Sequence, residues 1–213
     1  MKAPHLLALL LLAPLFALTA CDDDDNDDNG EFTYDWQNRN AVYFAQTMEE
    51  AKADIAKAQA EHPADWEAHT PWRVARSYAK VEGAAIKQTD SICYRIIESG
   101  TGSGCPLYTD SVRINYTGRL MPTESYAEGR VFDHSGLYET DDYVFSPQFS
   151  APSTFLVGGV VEGLTTALLY MHIGDRWRVY IPQELGYQSA SSGVMPGYST
   201  LVFDVQLKSY FRK

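Results

Sequence analysis

Basic residues, histidines and cysteines are scarce in this chain, and the shortages of the first two exclude whole classes of function. The 213 residues include 17 lysines and arginines against 28 acidic residues, which gives a net charge of −11. This balance argues against nucleic-acid binding, because contacts to phosphate supply much of that affinity. The five histidines are scattered and form no His-x-x-x-His pair, so the sequence predicts no metal site and no cofactor.

The N-terminal residues are typical of an export signal. Lys2 precedes an apolar run, Leu6 to Leu18, that is too short to span a bilayer comfortably. The ending Leu18-Thr19-Ala20-Cys21 resembles a bacterial lipobox, in which Cys21 becomes the lipid-modified first residue. We therefore expect residues 1–20 to be a lipoprotein signal peptide, with an ordinary signal peptide as the alternative. The resemblance implies a lipid anchor in the envelope of a Gram-negative bacterium, on the periplasmic or surface face of the outer membrane.

An acidic run follows the cysteine. Six aspartates lie between Asp22 and Asp28, interrupted only by Asn26. Such a run repels itself and has no apolar side chains to pack, so residues 21–35 are predicted to form a disordered tether. The alternative is that these acidic residues act as a surface-export signal, which they resemble.

Residues 36–88 are predicted to form a helical N-terminal segment. Good helix formers are abundant from residue 38 to 61, and His62-Pro63 should end the helix because the residue before proline disfavours helical geometry. An apolar stripe at three- and four-residue steps comprises Val42, Ala45, Met48, Ala51, Ile55 and Ala58. For residues 65–81, the sequence does not decide between a second helix and an extended stretch. Their aromatic side chains should bury against the following domain or a second copy of the chain.

Residues 89–213 are predicted to form one α+β domain. Apolar side chains alternate with other residues at 92–97, 112–117, 177–181 and 201–207, whereas residues 160–171 have helical spacing. Residues 137–151 are polar, aromatic and irregular, which indicates a long insertion that would cover a pocket or supply aromatic rings to it.

Two cysteines remain after Cys21. Cys93 and Cys105 are 12 positions apart in a chain expected in an oxidising compartment. The spacing leaves open either a disulfide around a glycine-rich loop, or a buried thiol on a strand and a second thiol in a loop.

Two segments resemble the pocket motifs of FKBP-type peptidyl-prolyl cis–trans isomerases. They are residues 131–136 (VFDHSG) and residues 178–187 (RVYIPQELGY). The resemblance continues in chain order through residues 111–120, 154–163 and 197–207. It implies an FKBP-like α+β fold, a twisted antiparallel sheet wrapped around one short helix, with the N-terminal helical segment beside it. It also implies isomerase activity (EC 5.2.1.8).

The resemblance also implies a set of site residues. Tyr187 would donate its hydroxyl to a carbonyl of the bound peptide, and Asp133 would orient the hydroxyl of Tyr116. The full set comprises catalytic residues Asp133, Tyr187, Tyr116, Phe132 and Phe203, and substrate-binding residues Val160, Val161, Leu164, Phe155, Val194 and Met195. Such a pocket would act by binding the twisted amide better than either planar form, against a barrier of about 18–20 kcal/mol.

Three positions depart from the family pattern. Leu164 stands where the family usually has a tryptophan, Ser153 replaces an aromatic residue, and Tyr187-Gln188 replaces Tyr-Gly. The resemblance implies an isomerase that assists folding, with proline-containing peptides or unfolded exported proteins as partners. Because of these departures, the alternative function is a weakly active binding module or chaperone with the same fold. A structural lipoprotein is the third alternative, and homodimerisation through the helical segment is left open.

Overall fold

The computed structural model describes residues 30–80, 86–136 and 150–212. The predicted signal peptide, Cys21, the aspartate run and most of the predicted insertion lie outside these ranges. The helices and strands, in chain order, are α1 (Trp36–Glu61), β1 (Trp72–Arg76), β2 (Ser91–Glu98), β3 (Ser111–Arg119), β4 (Val131–His134), β5 (Ser153–Leu156), α2 (Glu162–Leu168), β6 (Arg176–Ile181) and β7 (Leu201–Phe211). Within the described ranges, no helix is long and apolar enough to cross a bilayer.

The seven strands form one antiparallel sheet. Its order is β1-β2-β6-β7-β3-β4, and β5 also pairs with β3. Strand β3 pairs with β7 along its whole length, while its other edge is shared between β5 and β4. The predicted α+β class and the antiparallel sheet are therefore confirmed.

Helix α2 covers one face of the sheet. Its side chains Leu164, Ala167 and Leu168 are buried in the main core, as the helical spacing of residues 160–171 predicts. The strand residues that face them alternate along each strand, which is the pattern of side chains on one face of a sheet. They are Ile92, Tyr94, Val112, Ile114, Tyr116, Trp177, Val179, Ile181, Leu201, Phe203, Val205 and Leu207.

Helix α1 covers the opposite face, so the molecule has three layers. Phe44, Met48 and Ala51 of the helix pack with Cys93 and Tyr180 of the sheet in a second apolar cluster. This helix explains why the first half of β2 is buried on both faces. The resemblance implied a helical segment beside the domain, but it did not imply this docking against the sheet.

The buried stripe of α1 differs from the predicted one. Helix α1 ends at Glu61, before His62-Pro63, as predicted, but Val42 is 45% exposed. The buried residues of the helix are Trp36, Asn40, Phe44, Thr47, Met48, Ala51 and Ala58. The stripe was misplaced in the first half of the helix because its sheet-facing side includes the polar residues Asn40 and Thr47, which apolar periodicity does not detect.

Hydrogen bonds fix the N-terminal half of α1 to the segment before β7. Trp36 Nε1 donates to Ser199 Oγ at 3.0 Å. Asn40 Oδ1 accepts from the Thr200 backbone N–H at 2.7 Å, and the Thr200 hydroxyl donates to the Asn40 carbonyl at 3.0 Å. Asn40 is 1% exposed, so these bonds are shielded from water.

Two segment boundaries lie elsewhere than the sequence suggested. Residues 30–35, assigned to the tether, form a turn in which Phe32 is buried beside Trp36 and Tyr126. The sheet begins inside the predicted helical segment, because β1 pairs with β2. Of the two alternatives for residues 65–81, a helix or an extended stretch, the extended one is correct for Trp72–Arg76, which form β1.

Trp72 and the two cysteines Cys93 and Cys105 show which alternatives from the sequence hold. Trp72 packs on Tyr180 with ring centroids 5.5 Å apart, so this aromatic is buried by the chain's own sheet. Cys93 and Cys105 are both free thiols, which removes the disulfide alternative. Burial raises the pKa of the Cys93 thiol to about 12.

Candidate active site

The divided edge of β3 opens one side of a cavity. Strand β5 pairs with residues 111–114 and β4 pairs with residues 117–119, so the ladder is interrupted next to Tyr116. The Tyr116 backbone N–H donates to Ser135 Oγ at 2.9 Å, and the Ser135 N–H donates back to the Tyr116 carbonyl at 3.0 Å. The backbone is therefore satisfied, and the Tyr116 side chain is held towards α2.

A tyrosine and a carboxylate form the polar pair of the cavity. Tyr116 Oη donates to Asp133 Oδ2 at 2.9 Å. Burial, and then the neighbouring Asp133 carboxylate, raise the pKa of Tyr116 well above its ordinary value. The phenol is therefore protonated at neutral pH and directs its proton to Asp133.

The residues before α2 form the second side. Thr165 Oγ1 donates to the Val157 carbonyl at 2.7 Å, which ties the helix to the turn that carries Val160 and Val161. Gly163 allows α2 to approach β6 closely, since a Cβ atom there would lie 2.4 Å from Ile181 Cγ2. This approach places Leu164, 4% exposed, at the floor.

Aromatic rings form the walls. The Tyr116 ring lies 5.6 Å from that of Phe155 in an edge contact and 6.3 Å from that of Phe203. Phe132 packs on Phe203 at 5.6 Å, also edge to face, and is not among the residues that line the cavity. A Cβ atom on Gly118 would lie 2.6 Å from the Phe132 ring, so only glycine leaves room for this layer.

Tyr187 lies at the rim, in a turn that ends a short 3-10 segment, Gln183–Leu185. Its side chain is 44% exposed, and partial burial followed by the nearby Asp133 raises its pKa. The next residue, Gln188, has φ +55°. This is the left-handed region that favours glycine, which accounts physically for the Tyr-Gly pattern from which this chain departs.

The cavity has a volume of about 360 Å³. Eight of the eleven residues predicted for catalysis and substrate binding line it, namely Tyr116, Asp133, Phe155, Val160, Val161, Leu164, Tyr187 and Phe203. Three do not. Phe132 packs on Phe203 without lining the cavity, Met195 is buried in the core at 4% exposure, and Val194 is 39% exposed on a loop.

Two lining residues were missed by the sequence analysis, Ile114 and Gly159. Ile114 pairs directly with Ser153, and directly paired residues share one face of a sheet. Ile114 is 1% exposed, so it borders the cavity as a buried side chain beside the small Ser153. A sequence signal for it was the small residue at 153, where the family usually has an aromatic side chain.

The chemistry of the lining is mostly apolar. Among the lining residues, Asp133 is the one carboxylate, and the two phenols of Tyr116 and Tyr187 supply hydroxyl groups. This arrangement suits binding of an apolar ring next to a polarised carbonyl. It offers hydrogen-bond donors and a low-dielectric surface, with no side-chain pair arranged for attack on an acyl group.

Comparison with known proteins places this fold and cavity in a family. Residues 105–208 match the model of the FKBP-type peptidyl-prolyl cis-trans isomerase family. The macrophage infectivity potentiator of Trypanosoma cruzi is 35% identical over 64% of this chain and 63% of its own length. The FKBP-type 22 kDa peptidyl-prolyl cis-trans isomerase of Escherichia coli is 38% identical over 61% of this chain and 54% of its own length. The outer membrane protein MIP of Legionella longbeachae is 35% identical over 54% of this chain and 42% of its own length.

Residues 105–208, which contain α2, the lining of the cavity and most of the sheet, therefore match the FKBP-type peptidyl-prolyl cis-trans isomerase family, and the sheet packed on α2 is an FKBP-like α+β fold. Within that family, the chain resembles the Mip proteins and the 22 kDa isomerase. The chain spans from 42% to 63% of the length of these three relatives.

Proposed function

We propose that the protein catalyses cis–trans isomerisation of prolyl peptide bonds and thereby assists the folding of exported proteins. The observation that carries this proposal is the cavity of about 360 Å³, walled by the rings of Tyr116, Phe155 and Phe203. Its volume falls at the lower end of the range for small-ligand pockets, about 300–1,000 Å³. Its substrates would be proline-containing peptides and unfolded chains.

The proposed mechanism requires no covalent step. Rotation about the prolyl C–N bond removes amide resonance, so the twisted amide is less polar than either planar form. An apolar cavity favours this form because it withholds the water that stabilises the planar amide. The enzyme then accelerates exchange to the extent that it binds the twisted amide more tightly than the planar ones.

The polar groups would orient the peptide. Tyr187, exposed at the rim, would donate its hydroxyl to a peptide carbonyl. Asp133 accepts from Tyr116, which fixes the phenol and places a negative charge at the cavity edge. Phe203, which packs on Phe132, would contact the proline ring. Val160, Val161 and Leu164 would contact the same ring from the side of α2.

The test is NMR magnetisation exchange on a series of Xaa-Pro peptides. The protein should accelerate cis–trans exchange, and Tyr187→Phe should reduce the acceleration about fivefold, the factor that corresponds to one hydrogen bond of about 1 kcal/mol. Tyr170→Phe is the matched control, because Tyr170 is 53% exposed and lies outside the cavity. Equal loss in both variants would contradict the role of Tyr187.

A second candidate function is a binding module with weak isomerase activity. The observation that favours it is the altered cavity, in which Leu164 forms the floor and the small Ser153 pairs with the lining residue Ile114. A peptide that shifts the NMR signals of the cavity residues without any faster exchange would favour this function over catalysis.

The location is also a proposal. The lipobox-like ending at Cys21 supports a lipid anchor, and one similar protein is named as an outer membrane protein. Metabolic labelling with a palmitate analogue should modify the wild type, and Cys21→Ser should lose the label. Retention of the label in that variant would exclude Cys21 as the attachment site.

Homodimerisation is a further proposal, and the fold limits how it can occur. The apolar side of α1 is already buried against the sheet of its own chain. A dimer would therefore use another surface or displace α1. Sedimentation equilibrium across a concentration range would detect the dimer, and a monomer mass at all concentrations would rule it out.

A further inference from the structure

A group of potential metal ligands lies at the C-terminal end of α1. His62, Asp65 and His69 each offer one ligand atom, and these atoms lie within 4.8 Å of one another. His69 Nε2 is 3.3 Å from Asp65 Oδ2. The two imidazole rings stack with centroids 3.5 Å apart and planes within 6° of parallel. Three side chains with metal-binding atoms thus share one small region.

The local fold creates this proximity. The His62 backbone N–H donates to the Ala58 carbonyl at 2.7 Å and ends the helix before Pro63. The Asp65 N–H then donates to the His62 carbonyl, and the His69 N–H donates to the Trp66 carbonyl at 3.0 Å. Two successive turns bring His69 back over His62. A search for the His-x-x-x-His spacing could not find this pair, because the two residues are seven positions apart.

Further carboxylates surround the two rings. A cleft of about 130 Å³ is lined by Asp54, Lys57, Ala58, Glu61, His62 and His69. Asp54 Oδ2 accepts from Thr70 Oγ1 at 2.6 Å, which fixes this carboxylate beside the loop that carries His69. Asp54 and Glu61 therefore line the cleft. Either carboxylate is placed to bind an ion held by the two imidazoles, or to accept a hydrogen bond from one of these rings.

We propose that His62, Asp65 and His69 bind a divalent transition-metal ion, with Zn²⁺ as the ion that the donor set fits. Two imidazole nitrogens and a carboxylate oxygen form a mixed N/O set that suits Zn²⁺, whereas Mg²⁺ and Ca²⁺ prefer oxygen ligands alone.

Binding requires a change in ring orientation. A metal ion lies in the plane of each imidazole that binds it, and two parallel planes 3.5 Å apart cannot both contain one ion. At least one ring must therefore rotate. The His69 side chain is 38% exposed and that of Asp65 is 65% exposed, so both have free space in which to turn.

The ion would stabilise the fold and leave the isomerase site alone. It would join the last turn of α1 to the loop that leads into β1, and α1 covers the face of the sheet opposite the cavity. We therefore expect Zn²⁺ to raise the stability of the docked helix without changing the cis–trans exchange rate. The site is independent of the function proposed above.

The test is a zinc titration of the EDTA-treated protein against a chromogenic zinc indicator. The wild type should bind one Zn²⁺, and His69→Gln and Asp65→Asn should each weaken binding at least tenfold. At free Zn²⁺ about 100 times Kd, the Tm should rise by about 5–10 °C. The double variant His62→Gln/His69→Gln should lose this shift, and the same concentration of Mg²⁺ should not produce it.

His172→Gln is the matched control. His172 is an exposed histidine located 3.8 Å from the Cys105 thiol, which gives zinc a competing site. This variant should bind Zn²⁺ as the wild type does. Loss of binding in His172→Gln, equal binding by the wild type and the double variant, or absence of binding below about 100 µM Zn²⁺ would each overturn the proposal.

Discussion

Replacing Asn40 by alanine should destabilise the protein by removing the polar link between α1 and the sheet. Asn40 Oδ1 accepts from the Thr200 backbone N–H at 2.7 Å, and Asn40 Nδ2 donates to the Trp36 carbonyl at 2.8 Å. Asn40 is 1% exposed and Thr200 is also 1% exposed. In Asn40→Ala, the Thr200 N–H would therefore remain buried without an acceptor.

The size of the effect follows from these contacts. An orphaned buried N–H costs about 1–3 kcal/mol, and the lost bond to Trp36 contributes at most about 1 kcal/mol, because that carbonyl lies within the helix ladder. Alanine has a better helix propensity than asparagine, and this offsets roughly 0.5 kcal/mol of the lost stability. We expect the free energy of unfolding to fall by about 2 kcal/mol, which corresponds to a Tm about 4–8 °C lower.

The assay is urea unfolding followed by far-ultraviolet circular dichroism. Asn38→Ala is the matched control, because Asn38 is an exposed asparagine of the same helix whose side chain bonds only to Asp35 in the described contacts. We expect that control to lie within about 0.5 kcal/mol of the wild type. A loss below 0.5 kcal/mol in Asn40→Ala, or equal losses in both variants, would refute the docking argument.

Three further predictions concern single positions. Gln188→Gly should raise the free energy of unfolding by about 1 kcal/mol, because residue 188 has φ +55°, and an unchanged urea midpoint would contradict this strain. Ser153→Phe should place an aromatic ring next to Ile114, reduce the cavity and alter the peptide affinity measured by NMR titration. An unaltered affinity would show that the peptide does not occupy this part of the cavity. In the native protein a thiol reagent should label Cys105, whereas Cys93, fully buried and with its pKa raised to about 12, should react only after unfolding. Fast labelling of Cys93 would indicate that α1 leaves the sheet.

Much of the fold was available from the sequence, because strands covered on one face have period-two apolar patterns. The core-facing residues Trp177, Val179 and Ile181 illustrate this on β6. The docking of α1 on the opposite face of the sheet could not be predicted from the sequence. Its contacts on the sheet, such as Cys93 and Tyr180, alternate with the core residues, so the pattern alone assigns them to solvent.

The site was predicted for a different reason, through motifs that resemble a known family. Such motifs identify which residues lie near the cavity, but they do not fix which side chain stands in front of another. Phe132 was therefore predicted as a site residue although it packs on Phe203 without lining the cavity, and Ile114 was omitted although it borders the cavity. The same limit applies to His62 and His69, since only the turns after α1 bring them together.

The central claim is that prolyl exchange occurs inside the cavity, and a variant that fills the cavity tests it most directly. Val161 lines the cavity and is only partly buried, so Val161→Trp should occupy the space without disturbing the core. Val42→Trp, on the outer side of α1 where Val42 is 45% exposed, makes the same substitution away from the cavity. The measurement is the cis–trans exchange rate of one Xaa-Pro peptide with each protein. We expect the wild type and Val42→Trp to accelerate exchange and Val161→Trp to leave it at the uncatalysed rate. Equal acceleration by all three would contradict this claim.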